Sequence, residues 1–205
     1  MQTVFTIGHS THTLAKFVDL IRAHEITAIC DVRSQPHSRM NPQFNHETLP
    51  KALKKDEIYY LFLGKLLGGR TDDPTCYVDG KVQYERLAKT QLFQQGLERV
   101  QEEMKFFRIA LMCAEKEPLV CHRTILIARH LQKRGIEIEH ILEDGSLEGQ
   151  CAAEQRLLRL LKIQETDFFK TQQEIIADAY NSHSQKIAYK EQVDEDHQVE
   201  RLSNR

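Results

Sequence analysis

The sequence predicts an α/β protein: a compact, doubly wound, mostly parallel sheet of about five strands, flanked by helices and followed by a C-terminal helical appendage. Three observations lead there. Across residues 1–150, short apolar, β-branched runs alternate with segments of helical period, the pattern of strand–helix–strand units joined by right-handed crossovers. Apolar residues make up 40% and charged residues 28% of the 205, so a sizeable core is available and a disordered chain is excluded. After Gly149 two amphipathic segments follow with no strand between them, and they read as cover for one domain rather than as a second.

The elements follow in order. TVFTIGHS is a strand that ends at Gly8, and THTLAKFVDLIRAHE is a helix that Thr11 or Thr13 can cap by accepting from a first-turn N–H. ITAICDVR is a second strand, stopping at the charged pair Asp31 and Arg33. SQPHSRMNPQFN, with two Pro and several turn formers, reads as an ordered loop. A helix in HETLPKALKKD and a third strand in IYYLFLG come next, then a Gly- and Asp-rich stretch without helical period, then a long helix over 83–104. FRIALMCAE is the fourth strand, CHRTILIARHLQKRG the next helix and IEIEHILEDG the fifth strand. The domain expectation is a core over 1–150, helical segments over 151–189 packed on it, and a polar, solvated tail over 190–205.

Composition also limits the partners. With 28 basic and 30 acidic residues the net charge is −2, so no overall field draws the chain onto nucleic acid and any such binding needs a local patch. No stretch approaches the ~20 apolar residues of a membrane span, and the N-terminus has neither a basic start nor a signal-length apolar run. Five Cys form an odd set without a repeating pattern. A reduced, cytoplasmic protein with no membrane partner is the expectation.

In open parallel sheets ligands bind outside the carboxyl ends of the strands, where loops and helix N-termini converge. Read together, those loops hold His9, Ser10 and His12; Asp31, Arg33, Ser34, Ser38 and Arg39; Gly64, Gly68, Gly69 and Arg70; and Cys113, Glu115, Lys116, Cys121, His122 and Arg123. Polar residues also brace and cap loops, so each has a plain structural alternative. Cys113 and Glu115, two apart on a strand, share a face. Cys121 stands where a helix begins, beside His122 and Arg123, which suits a nucleophilic thiolate, an anion site or a metal ligand. Buried Cys also simply fills space, the more so for Cys113 on an apolar strand.

Cys113, Glu115, Cys121 and His122, with His9, are all acceptable zinc or iron ligands, although the C-x7-C spacing is not diagnostic. A phosphatase-type C-x5-R loop is not present, since Ile127 stands six residues after Cys121. No Walker loop or G-x-G-x-x-G occurs either. Arg33, Arg39, Arg70 and Arg123, from three strand-end loops, form a set that grips phosphate or carboxylate, or else brace Asp31 and Glu115. Phe44, Tyr59, Tyr60 and Tyr77 offer stacking surfaces for a base or ordinary packing.

IGHS, DVRSQPHSR followed by PQF, LGKLLGGR and above all CAEKEPLVCHRTILIA resemble the domain-of-unknown-function family 488, and the likeness extends over roughly 3–189 through HILEDG, EQRLLRL and KIAY. The resemblance implies an α/β protein of bacteria and archaea and hands over no reaction, cofactor or substrate. Its motif positions here are His9, Ser10, Asp31, Arg33, Pro36, Ser38, Arg39, Gly68, Gly69, Cys113, Glu115, Cys121, His122 and Arg123.

Two functional classes stand. One is an enzyme acting on a phosphorylated, nucleotide or nucleic-acid substrate, with Cys121, Glu115, His9 and His122 as catalytic groups and Ser10, Asp31, Arg33, Ser38, Arg39, Arg70 and Arg123 as substrate-binding groups. A metal-dependent hydrolase, with Cys113, Cys121 and His122 foremost among the ligands, is its variant. The other is a module that binds nucleic acid or a modified nucleotide through the Arg set without catalysis. Cofactor identity and oligomeric state are open at this point.

Overall fold

The computed structural model describes residues 3–166 and 168–190; of the expected tail, all but Lys190 lies outside the described residues. Five strands run parallel: β1 (Thr3–Gly8), β2 (Ala28–Asp31), β3 (Tyr59–Phe62), then, after a hairpin of β4 (Tyr77–Val78) and β5 (Lys81–Val82), β6 (Ile109–Cys113) and β7 (Glu137–Ile141). A sixth, β8 (Leu147–Gly149), joins the edge antiparallel to β7. The sheet order is β3-β2-β6-β1-β7-β8. Three residues behind a tight turn, with Gly145 at φ 90°, are too short to show a two-residue period, which is why the sequence implies five strands and the sheet has six.

Alternate strand residues feed two cores, as the pleat requires. Phe5, Ile7, Ile29, Ala110 and Met112 face α1 (Leu14–Ala23) and α2 (Leu49–Lys54). Val4, Ala28, Cys30, Ile109, Leu111 and Ile138 face the other way, onto the remaining helices. Thr13 caps α1, its hydroxyl accepting from Lys16 N. After the single turn α3 (Gly64–Leu67), the helix expected over 83–104 is two, α4 (Tyr84–Leu87) and α5 (Gln91–Glu103). They part at Thr90, whose hydroxyl accepts from Phe93 N and starts a new helix. The helix after Cys121 opens with a wide π-type segment, Arg123–Ala128, before α6 (Arg129–Gln132). α7 (Gln150–Leu161) and α8 (Gln172–Ile187) follow, and Leu157, Leu158, Ile175 and Ala179 join the core that contains Leu111. A capping box of Thr171 and Glu174 starts α8.

Insertion of β6 between β2 and β1 fixes the place of the site. Gly8 sits level with Cys113, and Asp31 with Met112, so the loops after three strands leave the sheet around the end of β6. Among the described residues no helix is long and apolar enough to cross a membrane.

Candidate metal and thiol site

Cys113 is the last residue of β6 and shares a face with Leu111 and Ile109, so its thiol enters the helix-covered side of the sheet. The chain turns back through Pro118–Val120, a short helical turn started by Glu117, whose carboxylate accepts from Leu119 N at 3.0 Å. That return places Cys121, in extended conformation, beside Cys113, and His122 at the start of the next helix. Cys113 Sγ, Cys121 Sγ and a ring nitrogen of His122 all lie within 4.8 Å of one another. His122 Nδ1 is 3.6 Å from Cys113 Sγ and 4.0 Å from Cys121 Sγ. Its Nε2 is 3.0 Å from the Val32 carbonyl. A carbonyl only accepts, so Nε2 carries the hydrogen and Nδ1 is the atom presented to both sulfurs. Gly69 makes room for the ring: a Cβ there would meet His122 Cγ at 3.0 Å.

Glu115 turns its carboxylate to the same spot, Oε2 accepting from Cys113 Sγ at 3.0 Å. The Cys113 thiol is held well above its usual range by its hydrogen bond to Cys121 and by burial. For Cys121 burial pushes upward, but the Cys113 hydrogen bond, the Arg123 guanidinium and His122 outweigh it and hold the thiol well below its usual range. Arg123 N also donates to Cys121 Sγ at 3.4 Å. Burial lowers the pKa of His122, yet the Cys121 thiolate prevails and raises it. Burial and the Cys121 thiolate together raise Glu115. Both shifts favour the charged forms, a thiolate on Cys121 and an imidazolium on His122.

Several residues expected to grip substrate instead hold this cluster in place. Arg123 is fully buried; its Nη1 donates to the Glu115 carbonyl and its Nη2 to the Lys116 carbonyl at 3.0 Å, while Nε reaches Thr6 Oγ1 at 3.4 Å. Fixing the turn that carries Glu115 uses its donors. Arg33 is buried in an ion pair with Asp31, with its Nη2 2.6 Å from Oδ2 and its Nε 2.9 Å from Oδ1, and it donates to the Phe44 carbonyl as well. Tyr60 OH donates to the same Asp31 at 2.7 Å. His9 receives Arg33 Nη1 on Nε2 at 3.0 Å and donates Nδ1–H to the Ser10 carbonyl at 2.8 Å. Both ring nitrogens are committed, and burial together with Arg33 lowers its pKa to about 4. His9 is therefore neutral, stacked on the buried Phe44 at 4.4 Å, and stands behind the cluster rather than in it.

The loop residues also scatter. Ser10 takes φ 48° beside β6, its N–H bonded to the Ala114 carbonyl. Ser38 accepts from Asn41 N and donates its own N–H to Asn45, bracing its loop. Arg39 is exposed and does not line the cavity at Cys113 and His122. Tyr59 stacks on Phe107 at 4.9 Å, and Tyr77 OH donates to the Thr71 carbonyl. Of the Arg set, Arg70 alone reaches the cavity with its charge uncommitted among the described residues: its guanidinium lies 3.8 Å over the ring of Tyr189, and no carboxylate is within 4.0 Å.

That cavity, about 370 Å³, opens onto Cys113, Glu115 and His122, with Arg33, Ser34, Gln35, His37 and Arg70 as polar wall and Tyr84, Val120, Ile187 and Tyr189 as apolar wall. Sequence reasoning did not single out Gln35, Tyr84, Ile187 or Tyr189 as site residues, although DVRSQPHSR contains Gln35 and KIAY contains Ile187 and Tyr189. Tyr189 arrives from beyond α8, tied by its carbonyl to Val82 N. A family model described as "Domain of unknown function DUF488" matches residues 13–130, more than half of the chain. The chain belongs to the DUF488 family. The match includes Cys113, Glu115, Cys121 and His122 and leaves out His9, Ser10 and the wall formed by Ile187 and Tyr189. No curated protein and no solved structure matches the chain.

Proposed function

We propose that this DUF488 protein is a metal-dependent hydrolase of a small anionic substrate, phosphorylated or nucleotide-like, with Cys113, Cys121 and His122 as the ligand set. One observation carries the reading: the His122 ring is fixed by the Val32 carbonyl with Nδ1 aimed at two buried sulfurs. An outer carbonyl that sets the tautomer of a histidine is the usual second partner of a metal-ligating imidazole. Two thiolates and one imidazole suit zinc or ferrous iron, and three protein ligands leave a fourth position for water. Such an ion, when bound, lowers the pKa of its water to about 7.

The chain's own groups then divide the work. Glu115 takes the proton from the attacking water and returns it to the leaving group, so water adds to the phosphorus or carbon centre as the bond to the leaving group breaks. Arg70, with its guanidinium carbon 3.8 Å from the Tyr189 ring centroid, offers its N–H groups to the substrate's anion. Arg123 and Arg33 keep the frame rigid. A second reading, attack by the bare Cys121 thiolate with the same Glu115 as acid, has the lowered pKa of Cys121 in its favour and its burial against it, since Cys121 does not line the cavity. Nucleic acid as the partner has less support, because Arg33 and Arg123 are used internally and Arg39 stands apart.

A panel of phosphoesters and aminated heterocycles, screened with wild type, Glu115→Gln and Cys121→Ser, tests the proposal. It predicts that Glu115→Gln retains metal and loses activity, whereas Cys121→Ser loses both. Full activity in metal-free protein would overturn it in favour of the thiolate.

A further inference from the structure

A second cavity, of about 470 Å³, lies between α4, α5, the helix running from Arg123 through α6, and α8. Its floor is apolar, formed by Tyr84, Ala88, Ile125 and Leu126, and its rim is cationic: Lys89, Arg129 and Lys133, with Glu85 the one acidic lining group among the described residues. Elsewhere on the surface the arginines at 22, 99 and 156 have carboxylate partners within 4.0 Å; Lys89, Arg129 and Lys133 have none among the described residues. Arg129 and Lys133 stand one turn apart on the same face, a like-charge pair that Glu85 and Glu154 offset in part and that an anion between them would offset further. Arg129 is aimed rather than neutralised: its guanidinium lies 4.8 Å over Tyr180 and donates to Asn181 Oδ1 at 3.2 Å. His130 donates Nδ1–H to the Leu126 carbonyl at 2.7 Å, which leaves Nε2 as a further ring nitrogen for a ligand.

We infer that this cavity is a second binding site, for a small organic phosphate whose anionic end meets Lys89, Arg129 and Lys133 and whose apolar body rests on Ile125 and Leu126. Pockets of a few hundred Å³ with an apolar lining and a few convergent polar groups are the usual form of such sites. A concavity enclosed by four helical elements favours a small molecule over a duplex, which needs an open strip of charge. The inference is independent of the metal reading. The two cavities share Tyr84 as a wall, and the helix bearing Arg129 and Lys133 begins next to Cys121 and His122, so a ligand here sits against the support of the first site.

Calorimetric titration of the full chain with phenyl phosphate, and separately with inorganic phosphate, tests this. The expected result is saturable binding of phenyl phosphate at this cavity, tighter than that of inorganic phosphate and retained in Arg70→Gln, which removes the anion group of the first cavity. In the Arg70→Gln background binding should weaken by about tenfold or more, the loss of a charged hydrogen bond, on adding Lys133→Gln or Arg129→Gln. Should Arg129→Gln fold poorly, Arg129→Lys and Lys89→Gln carry the same test. Affinity unaffected by all of these, affinity lost in Arg70→Gln, or displacement by a DNA duplex would each overturn it.

Discussion

Replacing Arg123 by leucine should loosen the fold around Glu115, not merely weaken a ligand. The guanidinium is fully buried and donates to the carbonyls of Glu115 and Lys116. Hydrogen bonds from a charged donor contribute about 1.5–3 kcal/mol each, so losing two removes about 3–6 kcal/mol, a large part of the roughly 5–15 kcal/mol that holds a domain together. Leucine fills part of the volume but satisfies neither carbonyl. With a urea slope of about 2 kcal/mol/M, the unfolding midpoint should fall by about 1.5–3 M. Arg123→Lys, which keeps the charge and reaches one carbonyl, should lose about half as much and guards against a leucine variant that never folds. Urea unfolding followed by circular dichroism reads the midpoint. A leucine variant with the wild-type midpoint that fails to bind phosphate would refute the bracing role and restore Arg123 to the ligand.

Acid should destabilise the protein through two buried imidazoles. Burial, with the Arg33 charge, lowers His9 to about 4, and burial, with Arg123, lowers His140 to about 4. A histidine held neutral in the fold and free to charge near 6.5 in the unfolded chain leaves stability whole above pH 6.5 and erodes it as pH falls toward 4. At pH 5 each should cost about 2 kcal/mol, which urea midpoints at pH 7 and pH 5 will show; a flat profile for wild type would contradict it. Gly69→Ala, by placing a Cβ 3.0 Å from His122 Cγ, should swing the ring off the sulfurs and lower metal affinity by about 10–100-fold, the range seen when an outer support of a ligand is lost; a cobalt(II) titration that reads the thiolate absorption band checks this.

The strand–helix order was legible because buried parallel strands are short, apolar and β-branched, as in ITAIC and IALMC. β8 was not, since its pairing is set by β7 across a turn and not by its own three residues. The cluster was legible for a similar reason: Cys113, Glu115, Cys121 and His122 lie within ten residues of chain, so a strand face and the following helix start suffice to bring them together. Distinguishing a clamp from a brace needed coordinates. Arg33, Arg70 and Arg123 look alike in sequence, and only burial and partners show that two hold carbonyls and Asp31 while the third meets the cavity with no carboxylate partner among the described residues. His9 was misplaced by the same limit, because the commitment of its two nitrogens lies in residues 10 and 33 folded around it. Tyr189 was marked within KIAY but could not be placed at the site, as it enters from the far end of the chain.

Metal content of the purified protein tests the central claim most directly. Elemental analysis of wild type, Cys113→Ser, Cys121→Ser and His122→Ala should find one zinc or iron per chain in the first and a strongly reduced amount in the other three. Wild type that binds no metal after incubation with zinc or ferrous iron, with all three side chains intact and reduced, would contradict it.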